Sequence, residues 1–74
     1  MKNKYKYINF VPNSSIFDGD GYYEIRNNKS NALLGTIDFY DNWNQYVLNT
    51  IDGIVFNKSC LLDIINFISQ LKHE

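Results

Sequence analysis

Cys60-Leu61-Leu62-Asp63-Ile64-Ile65-Asn66-Phe67-Ile68-Ser69-Gln70-Leu71 is the stretch that decides the fold. Leu61, Ile64, Ile65, Ile68 and Leu71 recur at i, i+3, i+4, i+7 and i+10, which is the helical period. Cys60 and Phe67 flank the same stripe, and Asp63, Asn66, Ser69 and Gln70 make the polar arc. The apolar arc spans roughly 160°, wide enough to lie flat on a sheet. Leu62 falls outside it and is expected to be exposed or to meet a loop. Asn57 and Ser59 are both good N-caps for this helix. Asp63 early and Lys72 late suit its dipole.

Everything upstream reads as short strands. Tyr5–Val11 alternates weakly and stops at Pro12, which has no N–H for a ladder, so it is expected to be an edge strand. Pro12-Asn13-Ser14-Ser15 and Asp18-Gly19-Asp20-Gly21 are turn chemistry, with Ile16 and Phe17 expected to tuck against the core between them. Tyr22–Asn27 is a second strand, Asn27–Asn31 a hairpin loop and Ala32–Tyr40 a third strand. Trp43–Leu48 is a fourth strand, Thr50–Gly53 a tight turn and Ile54–Phe56 a short fifth strand. The fold class is therefore α+β: a small antiparallel sheet of four to five strands with one C-terminal helix packed on one face. Tyr23, Ile25, Leu33, Ile37, Phe39, Tyr46, Leu48 and the helix stripe form the expected core.

One helix covers one face of such a sheet. Tyr22, Glu24, Arg26, Leu34, Thr36, Asp38 and Tyr40 are expected on the other. Tyr, Trp and Arg are enriched at protein interfaces, so Tyr22, Glu24, Arg26, Asp38, Tyr40 and Trp43 are the candidate partner-binding residues. The bland alternative is an ordinary polar sheet surface. Trp43, in a turn between Asn42 and Asn44, reads first as a lid on the core and second as a contact residue.

With 74 residues the chain is read as a single domain, residues 1–20 being an edge strand plus loop or only partly ordered. A domain this small hides only about 60% of its unfolded surface, so its stability is marginal. Hydrophobic content of 45% and aromatic content of 16% are too high for a disordered chain. The single cysteine, Cys60, excludes a disulfide within the monomer. Neither a secretory leader nor a membrane-length apolar run is legible, which points to a cytoplasmic protein with no membrane partner. The net charge is −1, and it is unevenly spread. Lys2, Lys4 and Lys6 give +3 in the first seventeen residues, while four bases against eight acids give −4 in the rest. A chain of this balance is a poor nonspecific binder of nucleic acid.

No catalytic or metal signature stands out, and no cofactor is expected. Cys60 lies in the first helical turn, where a thiol can be activated. The only histidine, His73, is about 20 Å along the same helix at 1.5 Å per residue. Cys60 therefore reads as a small core hydrophobe and His73 as a solvated helix-end residue. Asp18, Asp20 and Glu24 resemble part of a calcium loop, but Tyr22 stands where an oxygen ligand is needed. Asp38 and Glu24 could pair for acid–base work only in a cleft, and Arg26 is a nearer neighbour for either. Lys4 and Lys6, with Tyr22 and Tyr40, could make a basic, aromatic platform; Lys2, Lys4 and Lys6 are thus the alternative, nucleic-acid-binding set. Edge lysines that discourage strand pairing are the plainer reading.

Gly35-Thr36-Ile37, Trp43-Asn44-Gln45-Tyr46, Phe56, then Ser59-Cys60-Leu61, Asp63-Ile64 and Phe67-Ile68 resemble a group of small uncharacterised phage and prophage proteins. The shared pattern is Gly-x-Ile, Trp-x-x-Tyr and Phe-x-x-x-Cys-Leu-x-x-Ile, over roughly two-thirds of the chain. The resemblance implies a mobile-element origin and a bacterial host cell. It also implies action by binding and blocking a host protein or protein complex, of which a CRISPR-Cas defence system is one kind. It carries no catalytic residue. The order of three strands and a helix also resembles the arm-binding domains of phage integrases, which read DNA with the sheet; Glu24, Asp38 and Asp41 depart from their basic surface. The sequence reading is therefore a non-enzymatic binding protein acting through its exposed sheet face, most sharply an inhibitor of a host antiviral protein. A small DNA-binding accessory module and a homodimeric structural protein are the alternatives.

Overall fold

A computed structural model describes residues 1–13 and 21–71. Four antiparallel strands run in sequence order across one sheet: β1 (Ile8–Pro12), β2 (Tyr23–Asn27), β3 (Leu33–Tyr40) and β4 (Gln45–Thr50). One helix follows, α1 (Lys58–Gln70). The α+β reading and the helix packed on one face stand. β1 is an edge strand closed by Pro12, as its missing N–H requires. The expected turns at 14–20, with Ile16, Phe17, Asp18 and Asp20, lie outside the described residues, as do Lys72 and His73.

Asparagine chemistry builds the connections. In the β2–β3 loop the Asn27 Oδ1 accepts from the Lys29 and Ser30 amides at 2.8 and 3.0 Å. Asn31 there takes φ 62°, a left-handed angle that Asn tolerates. Asn44 does the same at φ 53° in the β3–β4 loop. Asn57 is the helix cap: its Oδ1 accepts from the Cys60 amide at 2.8 Å, satisfying one orphan donor of the first turn.

The core lies between the sheet and α1. Ile8, Phe10, Ile25, Ile37, Cys60, Ile64 and Phe67 are its buried members. The Phe67 ring stacks on Phe10 at 4.0 Å between centroids and 2° between planes, with the Tyr23 ring edge-on to Phe67 at 4.9 Å. Tyr23, Leu34, Tyr46, Leu48, Phe56, Ile68 and Leu71 pack around this centre.

The helix is turned from its expected phase. Cys60, Ile64 and Phe67 are buried, whereas Leu61 and Ile65 are 44% and 60% exposed. Apolar residues occupy so much of the wheel that periodicity alone cannot choose among neighbouring stripes. The flat Phe10–Phe67 stack chooses, and it leaves Leu61, Leu62 and Ile65 on the outer surface. Asp63 sits beyond the first turn and no basic residue stands in the last turn, so the expected dipole pairing is not made there.

Other expectations are corrected. Ile54–Phe56 is not a strand; the Ile54 amide closes a turn onto the Ile51 carbonyl at 3.2 Å, and Phe56 packs on the core. Leu33 was expected inside, but a bulge intervenes. Ile25 faces Gly35 and Arg26 faces Leu33, so Leu34 is the extra residue. The slip aligns Leu33 with Arg26 and lets Leu34 reach the core. The core also draws Ile8 and Phe10 from β1, which the sequence reading left out.

The first seven residues are held in place. The Gln70 side-chain amide brackets Lys2, accepting from its N–H and donating to its carbonyl, both at 2.8 Å. The Tyr5 hydroxyl donates to Asn66 Oδ1 at 2.6 Å. The Phe10 amide donates to the Asn3 carbonyl at 2.8 Å, and Lys4 bridges Asn9. Residues 3–5 therefore line the outer edge of β1.

Candidate functional site

The sheet face away from α1 is the candidate interface. Strand register sets its membership. Asn9 aligns with Arg26, and Val11 with Glu24. Glu24 aligns with Thr36, which aligns with Asn49; Asp38 aligns with Val47, and Tyr40 with Gln45. Aligned residues share a face, so these side chains form one surface opposite the core. No described element lies across it.

Polar contacts organise this face. The Arg26 guanidinium pairs with Glu24 Oε1 at 3.2 Å and donates to the Asn31 carbonyl at 3.1 Å. Asp38 Oδ2 accepts from the Thr36 hydroxyl at 2.9 Å and from the Asn49 side-chain amide. Asn9 donates to Asn28 Oδ1 at 2.7 Å, and Asn28 donates to the Tyr5 carbonyl. Each charged group thus has a held geometry before any ligand arrives, which lowers the ordering cost of binding. The partial exposure of the Arg26–Glu24 pair makes it a small contributor to stability.

The aromatic end of this surface is Tyr40 with Trp43. Their rings meet edge-to-face at 5.0 Å, and Asn42 donates to the Tyr40 hydroxyl at 3.2 Å. Trp43 is 65% exposed, so the lid reading is corrected. The tight 41–44 connection, in which the Trp43 N–H donates to the Tyr40 carbonyl and the Asn44 N–H to the Asp41 carbonyl, turns the indole outward rather than over the core. A shallow concavity lies beside it, lined by Tyr40, Trp43, Val47, Leu48 and Asn49.

Of the six candidate residues, register places Glu24, Arg26, Asp38 and Tyr40 on one face, and Trp43 joins them through Tyr40. Tyr22 precedes β2, half-buried, its carbonyl accepting from the Asn13 amide. The sequence reading missed Asn9, Val11, Val47 and Asn49. Alternation within β1 and β4 could have found them, given the correct registers against β2 and β3. Leu34, expected on this face, leaves it through the bulge.

The alternative set stands elsewhere. Lys2, Lys4 and Lys6 are exposed on the segment before β1, not within it. The Lys2 ammonium lies 4.6 Å from the Tyr5 ring centre and that of Lys6 5.2 Å from the Tyr7 ring. Neither of these ring contacts involves Tyr22 or Tyr40. Cys60 is 8% exposed, in the core. Among the described residues no three His, Cys, Asp or Glu side chains group as metal ligands, and no helix is long and apolar enough to cross a membrane. Burial raises the pKa of Tyr5 above the usual 10.0, the nearby Asp63 charge adding to it and the Gln70 hydrogen bond opposing it. Burial, then Tyr23, raises Tyr46 in the same direction.

No protein-family model, curated protein or solved structure matches the chain.

Proposed function

We propose that this is a non-enzymatic binding protein of phage or mobile-element origin that docks on a host protein in the bacterial cytoplasm. Its sharpest form is an inhibitor of an antiviral defence complex of the CRISPR-Cas kind. The observation that supports docking is the sheet face that no described element covers: a prearranged set of Glu24, Arg26 and Asp38 ending in the exposed Tyr40–Trp43 pair. Exposed aromatic anchors beside fixed polar groups are the makings of an interface hot spot. The small-phage-protein resemblance of the sequence supports the choice of host target.

The test is plaque formation on a host whose CRISPR-Cas system targets the infecting phage. Expression of the chain restores plaques, and the Tyr40→Ala/Trp43→Ala variant loses that effect while melting at the same temperature. Interference left untouched by the wild-type chain contradicts the inhibitor form. Failure to retain any host protein at micromolar concentration contradicts docking itself.

A second reading, DNA binding, draws on the exposed Lys2, Lys4 and Lys6, of which Lys2 lies over the Tyr5 ring and Lys6 over the Tyr7 ring. It predicts affinity for duplex DNA that falls steeply with salt. Absence of binding at about 50 mM salt removes it.

A further inference from the structure

The two edges of the sheet are treated differently. The β1 edge is guarded: Pro12 ends it, Lys4 bridges Asn9, and the Asn3 carbonyl takes the Phe10 amide. The β4 edge has no such guard among the described residues. Its strand, Gln45-Tyr46-Val47-Leu48-Asn49-Thr50, holds no charge, no proline and no glycine. Alternate residues along an edge strand present unpaired N–H and C=O groups to whatever lies beside them. Natural sheets place lysine, proline or a bulge on such an edge, and β4 has none of the three within it.

Both sides of this edge are concave and carry apolar side chains among polar ones. On the helix side lies a groove lined by Phe39, Tyr46, Ile68 and Leu71, with Asn44 and Gln45 at its rim. On the outer side lies the Tyr40, Trp43 and Val47 concavity. A strand added to β4 would find backbone partners in the middle and apolar side chains such as Tyr46 and Val47 above and below.

We infer that β4 pairs antiparallel with β4 of a second copy across a twofold axis perpendicular to the sheet, giving a continuous eight-stranded sheet. The occupant is a second copy because the strand suits itself. Being uncharged from end to end, it meets its own image without like-charge repulsion. Antiparallel self-pairing also sets residues of the same face opposite one another. Tyr46 and Leu48 of both copies then share the helix side, and Val47 of both shares the outer side. A charged foreign peptide gains no ion-pair partner from this strand. The inference does not depend on the outer face being a docking surface.

The experiment is the molar mass by light scattering of three proteins: wild type, Q45K/I51K and Q45E/I51E. With Leu48 of both copies at the axis, Gln45 of one strand comes opposite Ile51 just beyond the end of the other, and alternation puts both exposed side chains on the outer face, so each double variant sets like charges together. Wild type is expected as a dimer at high micromolar concentration. Each double variant is expected as a monomer with unchanged circular dichroism and melting temperature. An equimolar mixture of the two variants is expected to recover the dimer, which a merely misfolded variant cannot do. A monomeric wild type, a dimer indifferent to the charges, or a mixture that stays monomeric overturns the inference.

Discussion

At the residue scale, Phe67 rather than the Leu61–Ile65 stripe anchors the helix. It is fully buried, stacked on Phe10 and met edge-on by Tyr23, whereas Ile65 is 60% exposed. Phe67→Ala should cost about 3–5 kcal/mol, the range for emptying a buried aromatic site. In a domain of marginal stability that unfolds much of the population. Ile65→Ala should cost under about 1 kcal/mol, because an exposed side chain leaves no cavity. Urea melts of the two variants check this, and equal losses would contradict the observed helix phase. Tyr5 supplies a second prediction. Its hydroxyl must be protonated to donate to Asn66, and its pKa lies above 10.0 in the folded chain. The unfolded chain therefore loses this proton first as pH rises. The associated stabilisation is full below about pH 10 and is lost above it as pH climbs through the folded value. Tyr5→Phe should flatten the alkaline fall in melting temperature above pH 10; an unchanged slope would separate Tyr5 from that fall.

At the element scale, the sheet and helix were legible because their signals are periodic. The β3 alternation and the 60–71 run were enough to define both elements, and Asn57 was readable as a cap. The helix phase was not legible, since eight apolar residues between 60 and 71 fit several stripes. The Leu34 bulge was not legible either, because nothing local in Leu33-Leu34-Gly35 says which leucine is the extra one. Gly35 is constrained from the other side, by β4. A Cβ there would sit 2.5 Å from the Asn49 carbonyl oxygen, so β3 and β4 approach too closely for any side chain. Gly35→Ala should destabilise by about 1–3 kcal/mol, the usual cost of overpacking. Chemical denaturation measures it, and a neutral result would mean the strands separate freely at that point. The segment before β1 was expected to begin the strand at Tyr5; instead it reverses and lines the β1 edge, held by Gln70. Gln70→Ala should speed hydrogen exchange at the Phe10 amide, which bonds to Asn3, and leave the Ile37 amide slow. Unchanged exchange at Phe10 would show that the edge cover stands without Gln70.

At the scale of the whole molecule, the chain is a two-layer structure with unlike sides. One sheet face is buried against α1, and the other carries Glu24, Arg26, Asp38 and Tyr40 without a described covering element. That asymmetry was legible from counting one helix against one sheet. Which residues share the outer face was only partly legible, because Asn9 and Asn49 join it through pairings between strands. Hydroxyl-radical footprinting of the intact chain, read residue by residue by mass spectrometry, tests the asymmetry most directly. Tyr40, Trp43 and Val11 should oxidise rapidly while Phe10, Ile25 and Phe67 stay protected. Tyr40 and Val11 as slow to oxidise as Phe10 would mean that the outer face is sealed, and the proposed recognition surface would not exist.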